Sequence, residues 1–226
     1  MSVNLRRFSL RALAAGLALL GAVVPASACL NGVTVPEPRE RRPHLIALPV
    51  DQSPVDHLIV AEEALRLGRH VRAAQELDAI RRAMREASPR VKARFERVSA
   101  LVAIRSAGEW PRWVDGRAPN NSTEREATMK EALAVLRQRA KEVPGDPMRM
   151  TDLGVGLFGF ADRHGEARQL LEKLSARDLL TTAYAYLALS RLRAAVGNQQ
   201  GASAALETCR KLDAGGGVCG AGGSRA

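Results

Sequence analysis

Apolar residues recur at helical spacing through most of the chain beyond residue 55. Ala73, Leu77, Ile80 and Met84 form one stripe, and Ala132, Leu136 and Ala140 a second. Ala167, Leu171 and Leu174 form a third, and Ala202, Leu206 and Cys209 a fourth. Steps of three and four residues put each set on one face of an α-helix. No segment sustains the alternation that a strand requires. Start signals stand between the stripes. Ser53-Pro54, Ser88-Pro89 and Asp146-Pro147 each set a capping side chain before a proline at the first helical position. Thr123 with Glu126 reads as a capping box, and Ser175 with Asp178 as a second. Gly68, Gly108 and Gly197 fall where helices should stop. The pattern predicts an all-α fold of eight helices in four antiparallel pairs.

The stripes are themselves periodic. Ala132, Ala167 and Ala202 stand 35 residues apart, and Leu136, Leu171 and Leu206 keep the same step. Ala73 and Leu77 repeat the motif 59 residues earlier, so an insertion is expected between residues 108 and 122. A small residue at the repeated Ala position lets two helix backbones approach closely, and the Leu one turn later fills the adjoining groove. One helix pair cannot bury its apolar face alone, so neighbouring pairs are expected to stack on a shared core.

At these residues the chain resembles the tetratricopeptide repeat family. The run from Ala61 through Leu65 and Gly68 to Ala73-Ala74 looks like the family's first helix, turn and start of second helix. Leu153-Gly154, followed by Phe158 and Ala167, resembles its Leu-Gly, aromatic and Ala positions. The resemblance covers residues 55 to 213 and implies a right-handed solenoid. It also implies binding of peptides or protein segments in a groove lined by the first helices.

The chain divides into four parts. Residues 1–28 read as a signal peptide: Arg6, Arg7 and Arg11 precede an apolar run from Ala12 to Val24, and Ala26-Ser27-Ala28 ends it. Cys29 follows directly and is a candidate lipidation site, with ordinary cleavage after Ala28 as the alternative. Each buried methylene of an attached lipid contributes about 0.8 kcal/mol to membrane anchorage. Residues 29–54 carry Pro36, Pro38, Pro43, Pro49 and Pro54 and read as an extended linker. Residues 55–213 are the repeat domain, and residues 214–226 a glycine-rich, flexible tail. An exported chain meets an oxidising compartment, which makes Cys209 and Cys219 a candidate disulfide. Closing that short loop stabilises by about 2.5–3 kcal/mol.

Composition narrows the chemistry. The formal net charge is +10, of which Arg6, Arg7 and Arg11 lie in the signal segment. A basic surface suits an acidic partner or an anionic polymer. Aromatic residues make up only 4% of the chain, too few for a base-stacking surface. Gly154-Val155-Gly156-Leu157-Phe158-Gly159 spells a dinucleotide fingerprint but falls inside a predicted helix with no strand before it. None of His44, His57, His70 and His164 stands three or four residues from another His or Cys, the helical spacing of a metal site. No cofactor is expected.

The expected function is therefore a non-catalytic scaffold for a protein or peptide partner in the bacterial cell envelope, periplasmic, outer-membrane-attached or secreted. Trp110 and Trp113 in the insertion are candidate partner contacts, as are Arg66, Arg69, Arg94 and Arg97 on or beside first helices. A basic module for an anionic envelope polymer and an enzyme with a scattered site are the alternatives. Nucleic acid is not an expected partner.

Overall fold

The computed structural model describes residues 53–109, 119–213 and 215–220. Among them the fold is all-helical, as the periodicity predicts. The helices are α1 (Pro54–Arg66), α2 (His70–Ile80), α3 (Pro89–Arg105) and α4 (Ser122–Glu142). They continue as α5 (Pro147–Phe158), α6 (His164–Ser175), α7 (Ala183–Ala195) and α8 (Gln199–Leu212). Short 3-10 turns at Ala83–Arg85 and Ala161–Arg163 complete the chain path.

The three Ser/Asp-Pro signals start helices through the expected contacts. Ser53 Oγ accepts a hydrogen bond from Asp56 N–H (3.3 Å), and the Asp56 carboxylate accepts from Ser53 N–H (3.0 Å). Asp146 Oδ1 accepts from Arg149 N–H (2.7 Å), and Ser88 Oγ from Val91 N–H (3.5 Å). Gly68 and Gly197 follow the ends of α1 and α7 at φ +73° and +82°, a left-handed conformation that carries no side-chain penalty in glycine.

Two expected starts are corrected. Asn121, not Thr123, caps α4: its backbone is extended and its Oδ1 accepts from Glu124 N–H (2.9 Å). Asparagine is among the strongest N-caps, and it stands two residues earlier. Ser175 ends α6 instead of starting a helix. Asp178 takes φ +53° there, doing what a glycine usually does, while Leu179 N–H closes back on Leu174 O (2.9 Å). The next helix starts from Thr182, whose Oγ1 accepts from Ala185 N–H (3.2 Å).

The helices pack most extensively with their sequence neighbours: α1 with α2, α3 with α4, α5 with α6, and α7 with α8. Contacts of α1 with α3, α3 with α5 and α5 with α7 join these pairs. The repeated Ala lies at the centre of the packing. Ala73, Ala132 and Ala167 are wholly buried and Ala202 nearly so, as are Leu77, Leu136 and Leu171. Leu206, on α8, is partly exposed but packs against the same core.

Two glycines let α5 sit between its neighbours. A Cβ on Gly154 would come within 2.5 Å of Leu171 Cδ2 on α6. A Cβ on Gly156 would come within 2.8 Å of Leu136 Cδ1 on α4. Each glycine thus receives the repeated Leu of a flanking helix, and the fingerprint-like sequence is a packing device within a helix. Gly154→Ala is therefore expected to destabilise by about 1–3 kcal/mol, because overpacking exceeds the helix-propensity gain. Gly165→Ala, at an α6 site with nothing within 4 Å, is expected to stabilise by about 0.4–1 kcal/mol. Urea midpoints read both, and a higher midpoint for Gly154→Ala would refute the packing account.

Candidate functional site

Helix α3 carries one continuous basic stripe. Arg90, Arg94, Arg97, Leu101 and Arg105 recur at steps of four, three, four and four residues and share a face. That face looks toward α1 on one side and α5 on the other. Beside it lies a groove of about 620 Å³ bordered by α3, α4 and α5, with Glu62 of α1 at its edge. Its floor includes Ala93, Leu136 and Met148, and its walls carry Arg90, Arg94, Arg97, Arg139 and Arg149 with Glu62 and Asp152. A smaller hollow of about 230 Å³ continues from Glu62 and Asp152 past Leu101 to Thr182 and Tyr184.

Most of these cations are already answered within the domain. Arg94 forks onto Glu62, donating from Nε (2.9 Å) and Nη2 (2.6 Å). Arg97 donates from Nε to Asp152 Oδ2 (2.6 Å) and from Nη1 to Glu62 Oε1 (3.3 Å). Glu62 thereby ties α1 to α3, and Asp152 ties α3 to α5. Arg139 pairs with Glu96 and Glu142, and Arg149 reaches both Glu142 (3.1 Å) and the Arg139 carbonyl (2.9 Å). Arg90 is exposed and makes no ion pair among the described residues.

Burial shapes the electrostatics. It pushes the Asp152 carboxyl above the usual carboxylate range, against the pull of Arg97. Burial also works against the Arg97 charge, but Asp152 and Glu62 more than offset it and hold this guanidinium above its ordinary value. The hydrogen-bonded Glu62 raises Arg94 likewise. Arg105 is lowered by burial; its guanidinium lies 4.2 Å from the centre of the Tyr184 ring and donates to Leu65 O (2.6 Å).

The residues singled out from sequence thus separate. Arg94 and Arg97 line the groove as structural ties. Arg66 lines the smaller hollow, pairs with Glu63 (2.6 Å) and is half exposed. Arg69 stands exposed at the α1–α2 turn. Cys209 and Cys219 are joined as a disulfide with Cα atoms 6.0 Å apart. Trp110, Trp113 and Cys29 lie outside the described residues, as do the expected signal peptide and the expected linker up to residue 52; Ser53 and Pro54 of that linker start α1. Sequence reasoning passed over Arg90, Arg139, Arg149, Glu62 and Asp152. The i, i+4, i+7 spacing of Arg90, Arg94 and Arg97 is a signal that would have found the first.

His70 and His164 line a separate hollow of about 600 Å³, where His164 stacks on Phe158 with ring centres 5.5 Å apart. Among the described residues no three His, Cys, Asp or Glu side chains converge as a metal site. No helix among them is long and apolar enough to cross a membrane. Comparison of the chain with protein-family models, with curated proteins and with solved structures returned no match.

The internal ion pairs differ in worth. Arg97→Ala strands Asp152, whose side chain is only 8% exposed, without its cation. The expected cost is about 2–4 kcal/mol in urea unfolding. Arg66→Ala removes a pair whose side chains are 50% and 51% exposed, and a change within about 0.5 kcal/mol is expected. Similar losses for the two variants would contradict this ranking.

Proposed function

We propose that the chain is a non-catalytic adaptor of the bacterial cell envelope, built as a tetratricopeptide-like solenoid that holds a partner's segment against its first helices. The carrying observation is the arginine-walled groove bordered by α3, α4 and α5, with Glu62 of α1. The 35-residue period and the pairing of sequence-adjacent helices support the repeat reading. The N-terminal charge, apolar run and small residues support export, and a disulfide suits an oxidising compartment. Lipidation at Cys29 would add membrane anchorage.

The groove favours one kind of partner. Its apolar floor, with Met148 45% exposed, receives an apolar side chain. Its walls then meet carboxylates on either side of that residue. Arg90 offers a guanidinium with no ion-pair partner among the described residues, and Arg94 and Arg149 offer hydrogen-bonding edges already held in place by their own acids. Preorganised cations lose less freedom when a ligand arrives. A polymer that is anionic throughout would favour a field of unpaired cations, whereas here carboxylates answer nearly every guanidinium. An acidic protein segment with apolar anchors is the better fit.

A fluorescein-labelled peptide alternating Leu and Glu tests this. It should bind at least tenfold more tightly than its Leu/Lys counterpart. Arg90→Glu should weaken it about tenfold, equivalent to about 1.4 kcal/mol, with unfolding unchanged. Met148→Asp should weaken it similarly. Equal affinity for both peptides would defeat the reading.

A further inference from the structure

The chain beyond α8 turns back onto the domain. Asp213 is buried, and its Oδ2 accepts hydrogen bonds from the backbone N–H groups of Val218 (2.8 Å) and Cys219 (2.7 Å). These bonds fold Val218 and Cys219 back onto Asp213 in a loop that the disulfide from Cys219 to Cys209 fastens to α8. Val218 is 4% exposed and Cys219 5%.

What covers Val218 comes from the other end of the described chain. A Cβ on Gly68, in the α1–α2 turn, would lie 2.9 Å from Gly217 O and 3.1 Å from Val218 Cγ2. A Cβ on Gly215 would lie 3.1 Å from Leu67 Cδ2, and one on Gly217 would strike the Leu67 carbonyl. The loop and the turn therefore touch through glycine on both sides, closer than other residues allow.

The turn is entered from the last residues of α1, which line the smaller hollow that continues the groove. Leu65 and Arg66 line the smaller hollow together with Thr182 and Tyr184. The last turn of α1 is held there by Arg105, through Leu65 O, and by the loop, through Leu67 and Gly68. We infer that Asp213 and residues 215–220 form a disulfide-locked clasp, and that opening the Cys209–Cys219 bond loosens the α1–α2 turn and widens the smaller hollow by which the groove continues toward α7. The inference rests on the groove being the binding face proposed above.

The chemistry is a thiol–disulfide exchange. A dithiol attacks one sulfur, and its second thiol resolves the mixed disulfide. The S–S bond breaks, Cys209 and Cys219 each gain one electron and one proton, and the dithiol is oxidised to its own disulfide. Both cysteines are buried, so the reductant reaches them when the loop opens transiently.

Hydrogen exchange on the full chain, oxidised and after dithiothreitol, is the test. Reduction should speed exchange of the Arg66–Arg69 amides at least tenfold and leave α4 to α6 unchanged. Cys219→Ser without reductant should do the same. Gly217→Val, with the disulfide intact, should also speed the turn, because its side chain meets the Leu67 carbonyl. Unchanged exchange in the reduced protein and in both variants would overturn the clasp. The Leu/Glu peptide should change affinity at least threefold on reduction; faster exchange with unchanged affinity would overturn the link to the groove. A peptide that binds neither form would overturn the groove reading, and the clasp would then stand or fall on exchange alone.

Discussion

Everything in this domain depends on helices approaching more closely than ordinary side chains permit. Its helices are short, and few aromatic residues are available to fill wide spaces between them. The chain resolves this with small residues at the crossings. Ala73, Ala132 and Ala167 are wholly buried, and Gly154 and Gly156 leave α5 without side chains where Leu171 and Leu136 press against it. Dispersion contacts are individually small, so a thin core must be dense to hold. Glycine inside a helix gives up helix propensity, and here that loss is exchanged for interdigitation with two neighbours at once.

The first-helix face depends on this closeness in turn. Once α1, α3 and α5 are adjacent, Glu62 and Asp152 stand within reach of the α3 arginines. Asp152 is nearly buried and would be unfavourable as a lone charge; Arg97 makes it tolerable. Structure and the proposed recognition therefore draw on the same stripe. Arg97 is committed inward, Arg94 is shared with Glu62, and Arg90 faces solvent. A charge that is expendable for folding sits two turns from one that is not.

Local features of this arrangement were legible in the sequence. Ser53, Ser88 and Asp146 mark helix starts because capping is a contact over three residues. The Ala and Leu stripes mark the core because burial follows helical period. The helix starts expected at Thr123 and Ser175 were misplaced for a related reason: Asn, Asp, Ser and Thr serve caps and turns alike, and only the backbone conformation decides. The groove was half legible. Arg94 and Arg97 announce a basic face, but their partners lie 32 and 55 residues away, at Glu62 and Asp152. No periodicity in one helix reveals a carboxylate contributed by another. The tail was read as flexible from its glycines. Over residues 215–220 it is packed, because those glycines permit contact with the α1–α2 turn; residues 221–226 lie outside the described part.

A stack of helix pairs is ordinarily a one-dimensional object, in which each unit is held only by its neighbours and the ends fray first. The contact of Val218 with Gly68 ties the described segment beyond α8 to the turn between α1 and α2. Arg105 of α3, over the Tyr184 ring of α7, is a second link between helices far apart in the chain. Links of this kind add to the packing between sequence neighbours. A chain tied in this way would resist the fraying that begins at the ends of a linear array.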